Sequence, residues 1–127
     1  MNLGLRHIAL RVKNAQATKK FYMDFFGMSL EWEPDAQNVY LTTAAQDNLA
    51  IHEDAEVQSS PHDSLDHIGF VMSEPEDVDD FFLRAKKQGL VILKEPKWHR
   101  DGACSFYLKD PDGHVVQIIY HPPIAKR

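Results

Sequence analysis

An α+β fold built from two copies of one βαβββ unit is predicted by three features of this 127-residue chain. Apolar residues alternate with a period of two at 5–12 and again at 66–72. Each alternating segment is followed by a stretch with helical spacing and then by three short strand-like segments. A polar, aperiodic linker is expected at 55–64. We expect the eight strands to form an incompletely closed, barrel-like sheet around a pocket where the two copies meet.

The first unit, at about 1–54, contains one predicted helix at 15–26. Asn14 is a suitable N-cap for this helix, and Gly27 is suited to the position just past its end. The turn signals that follow are Pro34-Asp35 and 46–48. They delimit three predicted strands, at 28–33, 38–43 and 48–53.

The second unit, at about 65–121, repeats this order. Its helix is predicted at 76–87 and ends before Gly89. A tight turn at 110–113 joins the last two of its predicted strands, which lie at 90–95, 103–109 and 114–120. When the halves are aligned by their motifs, the matched pairs are His7 with His67, Tyr40 with Tyr107, and His52 with Gln117.

The charge and cysteine content exclude several classes of function. The formal net charge is −5 and the basic residues are scattered, so we expect no binding to nucleic acid. No apolar stretch is long enough to cross a bilayer, and the first residues do not resemble a signal peptide. Cys104 is the one cysteine, so no intrachain disulfide can form, and we expect it to be a buried structural thiol. These features predict a single-domain cytoplasmic protein.

Alternation assigns four polar side chains to the face of the strands that turns away from the helices. They are His7, His52, His67 and Gln117. Imidazole is the commonest metal-binding side chain, and its neutral form suits Zn, Fe, Ni, Cu and Mn. The sequence therefore favours a metal site over an empty polar cavity or a site for an organic ligand.

Two further histidines have weaker claims to a role. His99 lies in the loop 98–102 beside an aromatic and a basic residue, where it would lie either at a pocket rim or in an ordinary polar loop. His114 follows the turn 110–113 and is expected to be exposed to solvent.

Motifs over nearly the whole chain resemble the vicinal oxygen chelate superfamily, which includes glyoxalase I, bleomycin and fosfomycin resistance proteins and extradiol dioxygenases. The motifs are Arg6-His7-Ile8-Ala9-Leu10, the segment 21–28 with its Phe-Tyr and Gly, Asp66-His67-Ile68-Gly69-Phe70, and the segment 106–117 with its Asp-Pro-Asp-Gly turn. The resemblance implies a homodimer and a divalent ion (Fe, Mn, Zn, Ni or Co) that chelates two neighbouring oxygens of a small substrate. It assigns the ligands to His7, His52, His67 and Gln117.

The departures from the family pattern narrow the predicted reaction. The last ligand is normally Glu in this superfamily, whereas Gln117 stands here, so the carboxylate base of glyoxalase I chemistry is missing. Tyr107 matches a Tyr that extradiol dioxygenases place near the substrate. We therefore rank a dioxygenase-like enzyme above a lyase or isomerase, with Tyr107 and, more weakly, His99 as catalytic residues. The alternative is a metal-free binding protein of the bleomycin-resistance type. Trp32, Trp98 and Tyr40 would line its groove, although core or edge packing is the favoured interpretation of each of these residues.

Overall fold

The computed structural model describes residues 1–3, 5–57 and 65–125, apart from the side chain of residue 124. The chain divides into two compact units, 1–59 and 60–127. Part of the predicted linker, at 58–64, lies outside the described residues. Among those residues, no helix has the length and apolar character needed to span a bilayer.

The first unit is a four-stranded sheet with one helix packed on it. The elements are β1 (His7–Val12), α1 (Ala15–Phe26), β2 (Ser29–Asp35), β3 (Asn38–Thr42) and β4 (Asn48–Glu53). In the sheet the strand order is β1-β4-β3-β2, and β1 is parallel to β4 while the other neighbours are antiparallel. Helix α1 packs against β3 and β4.

The second unit repeats this topology. Its elements are β5 (Ile68–Val71), α2 (Pro75–Lys87), β6 (Ile92–Trp98), β7 (Cys104–Lys109), β8 (Val115–Tyr120) and the short α3 (Pro122–Ala125). The strand order is β5-β8-β7-β6, and β5 and β8 form a parallel pair. The predicted α+β class and the two βαβββ units are confirmed, and neither described sheet closes into a barrel.

Helix α1 begins and ends where its capping residues predict. The side chain of Asn14 accepts a hydrogen bond from the backbone N–H of Ala17 at 3.0 Å, and Glu53 Oε1 accepts from that of Ala15 at 3.0 Å. Both bonds satisfy N–H groups that have no partner inside the helix. Gly27 adopts a φ of 70° at the other end, a conformation that glycine reaches without a steric penalty. The bond to Ala15 also directs Glu53 to the helix face of the sheet.

Each unit has its own hydrophobic core between its helix and one face of its sheet. In the first unit this face carries Leu10, Val12, Val39, Leu41, Leu49 and Ile51, and in the second Cys104, Phe106, Leu108, Val116 and Ile118. Cys104 is 1% exposed, as expected of a structural thiol. Burial, with a smaller effect of Asp79, raises the pKa of its thiol above the usual value. The opposite face of each sheet, here called the open face, is available to polar side chains.

Three strand boundaries differ from the sequence prediction. Pro34 and Asp35 belong to β2 instead of forming a turn, and β6 continues through Pro96 to Trp98. Both are edge strands, in which a proline costs little, because its missing N–H can face the side of the strand that has no neighbouring strand. His67 lies directly before β5 and not inside the predicted strand.

Candidate functional site

The second unit brings together His67, Tyr107 and Gln117, three of the residues that the sequence predicts for the site. Tyr107 on β7 lies opposite Gln117 on β8, and Gln117 Nε2 donates a hydrogen bond to the Tyr107 hydroxyl at 2.9 Å. The ring of His67 meets the ring of Tyr107 edge-on, with centroids 5.5 Å apart and planes at 90°. This arrangement is a compact polar cluster on the open face of the second sheet.

The bond between Gln117 and Tyr107 leaves specific atoms available for a ligand. Because the amide nitrogen of Gln117 is the donor, its Oε1 keeps its lone pairs for a ligand. This oxygen lies 3.5 Å from the point where a Cβ on Gly69 would stand, so the absent side chain leaves space beside it. The Tyr107 oxygen accepts from Gln117 and therefore retains its own proton to donate.

The imidazole of His67 is oriented by its neighbour in sequence. Its Nδ1 lies 2.6 Å from Oδ2 of Asp66, so the neutral ring carries its proton on Nδ1 and presents a lone pair at Nε2. A carboxylate that fixes the ring in this way is common behind metal-binding histidines. The carboxylate of Asp66 is itself 95% exposed, so water screens its charge.

One cation also lies against the cluster. Lys94 on β6 is opposite Tyr107, and its ammonium lies 5.6 Å from the centroid of the Tyr107 ring. This is within the range of a cation–π interaction. The side chain therefore adds positive charge at the edge of the cluster.

His99, the weaker catalytic candidate, lies in the connection between β6 and β7 and is exposed. Its Nε2 is 3.5 Å from the hydroxyl of Ser105, a buried residue on the same face of β7 as Tyr107. Ser105 and Tyr107 are two residues apart on β7, which corresponds to roughly 7 Å along the strand. The structure thus places His99 near the cluster along β7.

In the first unit, His7 is held by a chain of polar groups. Its Nδ1 lies 2.6 Å from Oδ1 of Asn48, its partner on β4, and Asn48 Nδ2 donates to Oε2 of Glu31 at 3.3 Å. The amide nitrogen is engaged by Glu31, so the amide oxygen must accept from the His7 ring. The neutral ring of His7 therefore presents its Nε2 lone pair, as His67 does.

His52 is held in the same manner at the other end of β4. Its Nδ1 lies 2.7 Å from Oδ1 of Asn38, and Asn38 Nδ2 donates to both carboxylate oxygens of Asp35, at 2.9 and 3.2 Å. The first sheet thus carries two imidazole–amide–carboxylate chains, one for each of its predicted ligands.

The register of the first sheet separates these two histidines. His7 lies opposite Asn48 and His52 lies opposite Arg11, four residues further along the parallel pair. Four residues of strand span about 13 Å. Ligand atoms of one ion lie about 2 Å from it. This separation therefore argues against a single ion that binds both His7 and His52.

The two registers also correct the alignment of the halves in the last strand. In the parallel pairs, Ala9 lies opposite Ala50 and Gly69 lies opposite Gln117. Gln117 is therefore the counterpart of Ala50 and not of His52. The sequence alignment placed this strand two residues out of step, which made His52 look equivalent to Gln117.

The donor atoms present are suited to a divalent metal, although the described residues include no group of three or more His, Cys, Asp and Glu side chains that could hold one. An imidazole ring whose Nδ1 is hydrogen-bonded presents a lone pair at Nε2, which suits Zn, Fe, Ni and Co. The carbonyl oxygen of Gln117 is a weaker, uncharged donor.

His114, which the sequence predicts to be exposed, is partly buried and has a structural role. Its side chain is 20% exposed, and its Nδ1 lies 2.8 Å from Oδ2 of Asp110, whose side chain is fully buried. Asp110 Oδ1 accepts from the backbone N–H of His114 at 2.8 Å. The hydrogen bond to Asp110 is the main cause that raises the pKa of His114, and it outweighs the opposing effect of burial. This contact stabilises the turn between β7 and β8.

Comparisons with known proteins give consistent matches. The sequence profile of the Glyoxalase/Bleomycin resistance protein/Dioxygenase superfamily matches residues 4–118. The chain is 31% identical to Glutathione transferase FosA of Serratia marcescens over 118 residues, which cover 91% of this chain and 79% of that protein. It is 27% identical to Metallothiol transferase FosB of Bacillus licheniformis, with 91% of this chain and 74% of that protein covered.

Solved structures share the fold at lower identity. A glyoxalase/dioxygenase from Nostoc punctiforme superposes with a TM-score of 0.81 at 20% identity and covers 94% of this chain and 92% of that one. The fosfomycin resistance protein FosX from Listeria monocytogenes superposes with a TM-score of 0.78 at 23% identity and covers the whole of both chains.

Proposed function

Because this chain belongs to the glyoxalase/bleomycin resistance protein/dioxygenase superfamily, we propose that it is a metal-dependent enzyme that acts on a small oxygen-rich substrate. The superfamily match confirms the resemblance drawn from the sequence motifs. The observation that supports the proposal most is that Tyr107 contacts both His67 and Gln117, which joins two proposed ligand residues to a proposed proton donor. The proposed substrate binds through two neighbouring oxygens.

The proposed metal ligands are Nε2 of His67, Oε1 of Gln117 and Nε2 of His7. The first two belong to one cluster, and the third has its Nδ1 fixed as in His67. His52 remains a predicted ligand, but its separation from His7 makes it the weakest of the four. Iron, manganese, zinc, nickel and cobalt are the candidate ions. A bound ion would act as a Lewis acid that stabilises negative charge on substrate oxygens.

Tyr107 is the proposed proton donor. Its hydroxyl oxygen accepts from Gln117, so its O–H is available to donate to a substrate. Lys94 lies against its ring and favours negative charge nearby, so the cluster can stabilise an anionic oxygen on the substrate. His99 is the proposed substrate contact further along β7.

The names of two curated relatives favour one class of reaction. Both are transferases that are named for a thiol, Glutathione transferase FosA and Metallothiol transferase FosB. Transfer of a thiol to a small electrophile is therefore a better proposal than the dioxygenase-like reaction that the sequence favoured. Consumption of thiol by the metal-loaded protein in the presence of candidate electrophiles, compared with consumption of oxygen in the presence of catechols, distinguishes the two.

The second candidate function is a metal-free protein that binds small molecules. It is favoured by the neutral Gln117 and by the absence, among described residues, of a group of three acidic, histidine or cysteine ligands. A homodimer and a cytoplasmic location are proposed for either function, and light scattering tests the dimer.

Elemental analysis of protein purified without chelators tests the metal site directly. We expect about one equivalent of metal per subunit, and a large loss in the separate variants His67→Ala and Gln117→Ala. His121→Ala serves as the matched control, because this histidine lies between the end of β8 and the start of α3, outside both elements. Less than about a tenth of an equivalent in the wild type, unchanged after metal is added, would favour the metal-free binding protein instead.

A further inference from the structure

Helix α2 carries a line of four exposed side chains on the side that faces away from its sheet. The helix packs against β6, β7 and β8, and Val78 and Ala85 on the packed side are fully buried. Successive steps of four, three and four residues place the exposed side chains on one line along the helix. We call them the α2 stripe, and they are Glu76, Asp80, Leu83 and Lys87.

Charge is segregated along this helix. Residues 74–80 include five acidic side chains and no basic one, whereas residues 84–87 include three basic side chains and no acidic one. Acidic groups at the start of a helix and basic groups at its end interact favourably with the helix dipole. Helix α1 forms without them, because it has no acidic residue in its first turn and no basic residue in its last. The dipole alone therefore does not account for so strong a segregation in α2.

An exposed leucine lies between the charged ends of the α2 stripe. Leu83 is 62% exposed. The cations beside it lie against half-buried aromatic rings, since Arg84 is 4.7 Å from the ring centroid of Phe81 and Lys86 is 5.4 Å from that of Phe82. The stripe thus presents one apolar side chain to solvent, with acidic groups toward one end and a basic group toward the other.

The α2 stripe is complementary to itself in an antiparallel arrangement. Its positions are symmetric about a point midway along the stripe, so a second α2 that runs in the opposite direction sets Glu76 of each copy against Lys87 of the other. The two Leu83 side chains are then offset by three residues along the helices, about 4.5 Å, and can contact each other at the centre. Two ion pairs therefore flank one apolar contact.

We propose that the α2 stripe is a contact surface for a second copy of this chain, with the two α2 helices packed antiparallel. A helix of 13 residues is about 20 Å long, and one side of it covers much less than the roughly 800 Å² that each partner buries in a stable interface. The pairing is therefore weak, and its charged contacts decide whether it forms. It depends on neither the metal nor the substrate of the proposed function. If the chain forms a homodimer through another surface, α2 joins two such homodimers.

Sedimentation equilibrium of the whole chain at low and high salt tests the pairing. We expect association at about 0.02 M salt that is lost at about 0.5 M, because salt screens exposed charges. Glu76→Lys and Lys87→Glu each set like charges against each other in both contacts, so each variant alone should associate at least about tenfold more weakly. Lys20→Glu and Asp24→Lys are the matched controls, because they reverse exposed charges on α1 and change the net charge by the same amounts.

A mixture of the two α2 variants is the decisive sample. When one copy carries Glu76→Lys and the other Lys87→Glu, opposite charges face each other again in both contacts, so the mixture should regain the association of the wild type. Failure to regain it, or undiminished association of either variant alone, would overturn the proposal. So would a mass that is the same at both salt concentrations. A homodimer through another surface is the species that persists at high salt, so these outcomes leave the proposed homodimer and the metal site to their own tests.

Discussion

Nδ1 of His7 lies 2.6 Å from Oδ1 of Asn48, and the amide of Asn48 donates in turn to Glu31. The carboxylate fixes which way the amide points, and the amide fixes which nitrogen of the imidazole carries the proton. Asn48 is thus a positioning residue for the proposed metal ligand His7.

Replacing Asn48 with Ala should weaken metal binding about 10- to 100-fold, the usual effect of removing a group that orients a ligand. Competition with a chromophoric chelator measures the affinity. Asn38→Ala is the matched control, because Asn38 on β3 holds His52 in the same way, and His52 lies at the other end of β4 from Asn48.

A second variant shows whether the loss of metal affinity comes from the lost orientation of His7 or from a general effect on the structure. Asn48→Asp combined with Glu31→Gln keeps an oxygen that can accept from His7 and a side-chain amide donor beside it, and should restore most of the affinity. If Asn38→Ala weakens metal binding as much as Asn48→Ala, then His52 is a ligand or the loss reflects the sheet as a whole.

A carboxylate at position 117 should strengthen the metal site. In Gln117→Glu the neutral amide oxygen becomes a charged donor, while the Tyr107 hydroxyl can still hydrogen-bond by donating instead of accepting. We expect at least about tenfold tighter binding by calorimetry. Gln117→Ala should bind more weakly than the wild type. Equal affinity in all three proteins would remove Gln117 from the ligand set.

The contact between His114 and Asp110 should make stability depend on pH. The folded-state pKa of His114 is raised above 6.5, so its charged form stabilises the fold below the unfolded pKa, and this contribution is lost as the pH rises through the folded pKa. His114→Gln should therefore cost about 1.5–3 kcal/mol in urea unfolding at pH 6 and less at pH 9. His121→Gln should show no such trend. A cost that grows toward pH 9 would contradict the assignment.

Two glycines should respond differently to alanine. Gly27 has open space around its Cα but a φ of 70°, so Gly27→Ala should cost about 1–2 kcal/mol from backbone strain alone. Gly69 lacks a positive φ, and an added Cβ would make an ordinary contact with Gln117, so Gly69→Ala should change stability by less than about 0.5 kcal/mol. Thermal unfolding by circular dichroism compares them, and equal costs would show that φ does not decide the difference.

Local signals predicted the elements well. The bounds of α1 and β4 are those expected, since capping residues and strict alternation act within a few residues of the chain. The sequence prediction ended β2 before Pro34, because a proline interrupts a strand unless that strand lies at the edge of a sheet. The edge position of β2 is visible only in the structure.

The candidate site was less predictable, because it depends on register. Alternation placed His52 on the correct face, but only the pairing of β1 with β4 shows that it lies opposite Arg11 and far from His7. The amide partners Asn48 and Asn38 have no sequence signal, because each contact joins residues that lie on different strands.

The separate cores of the two units carry a consequence for how such a chain can evolve. Each sheet buries one face against its own helix, so each repeat has a hydrophobic core of its own. At one duplicated position the second copy carries Gln117 and the first carries Ala50, which has no donor atom. A duplication of this kind lets one copy retain a chemical group while its counterpart drifts toward a new specificity.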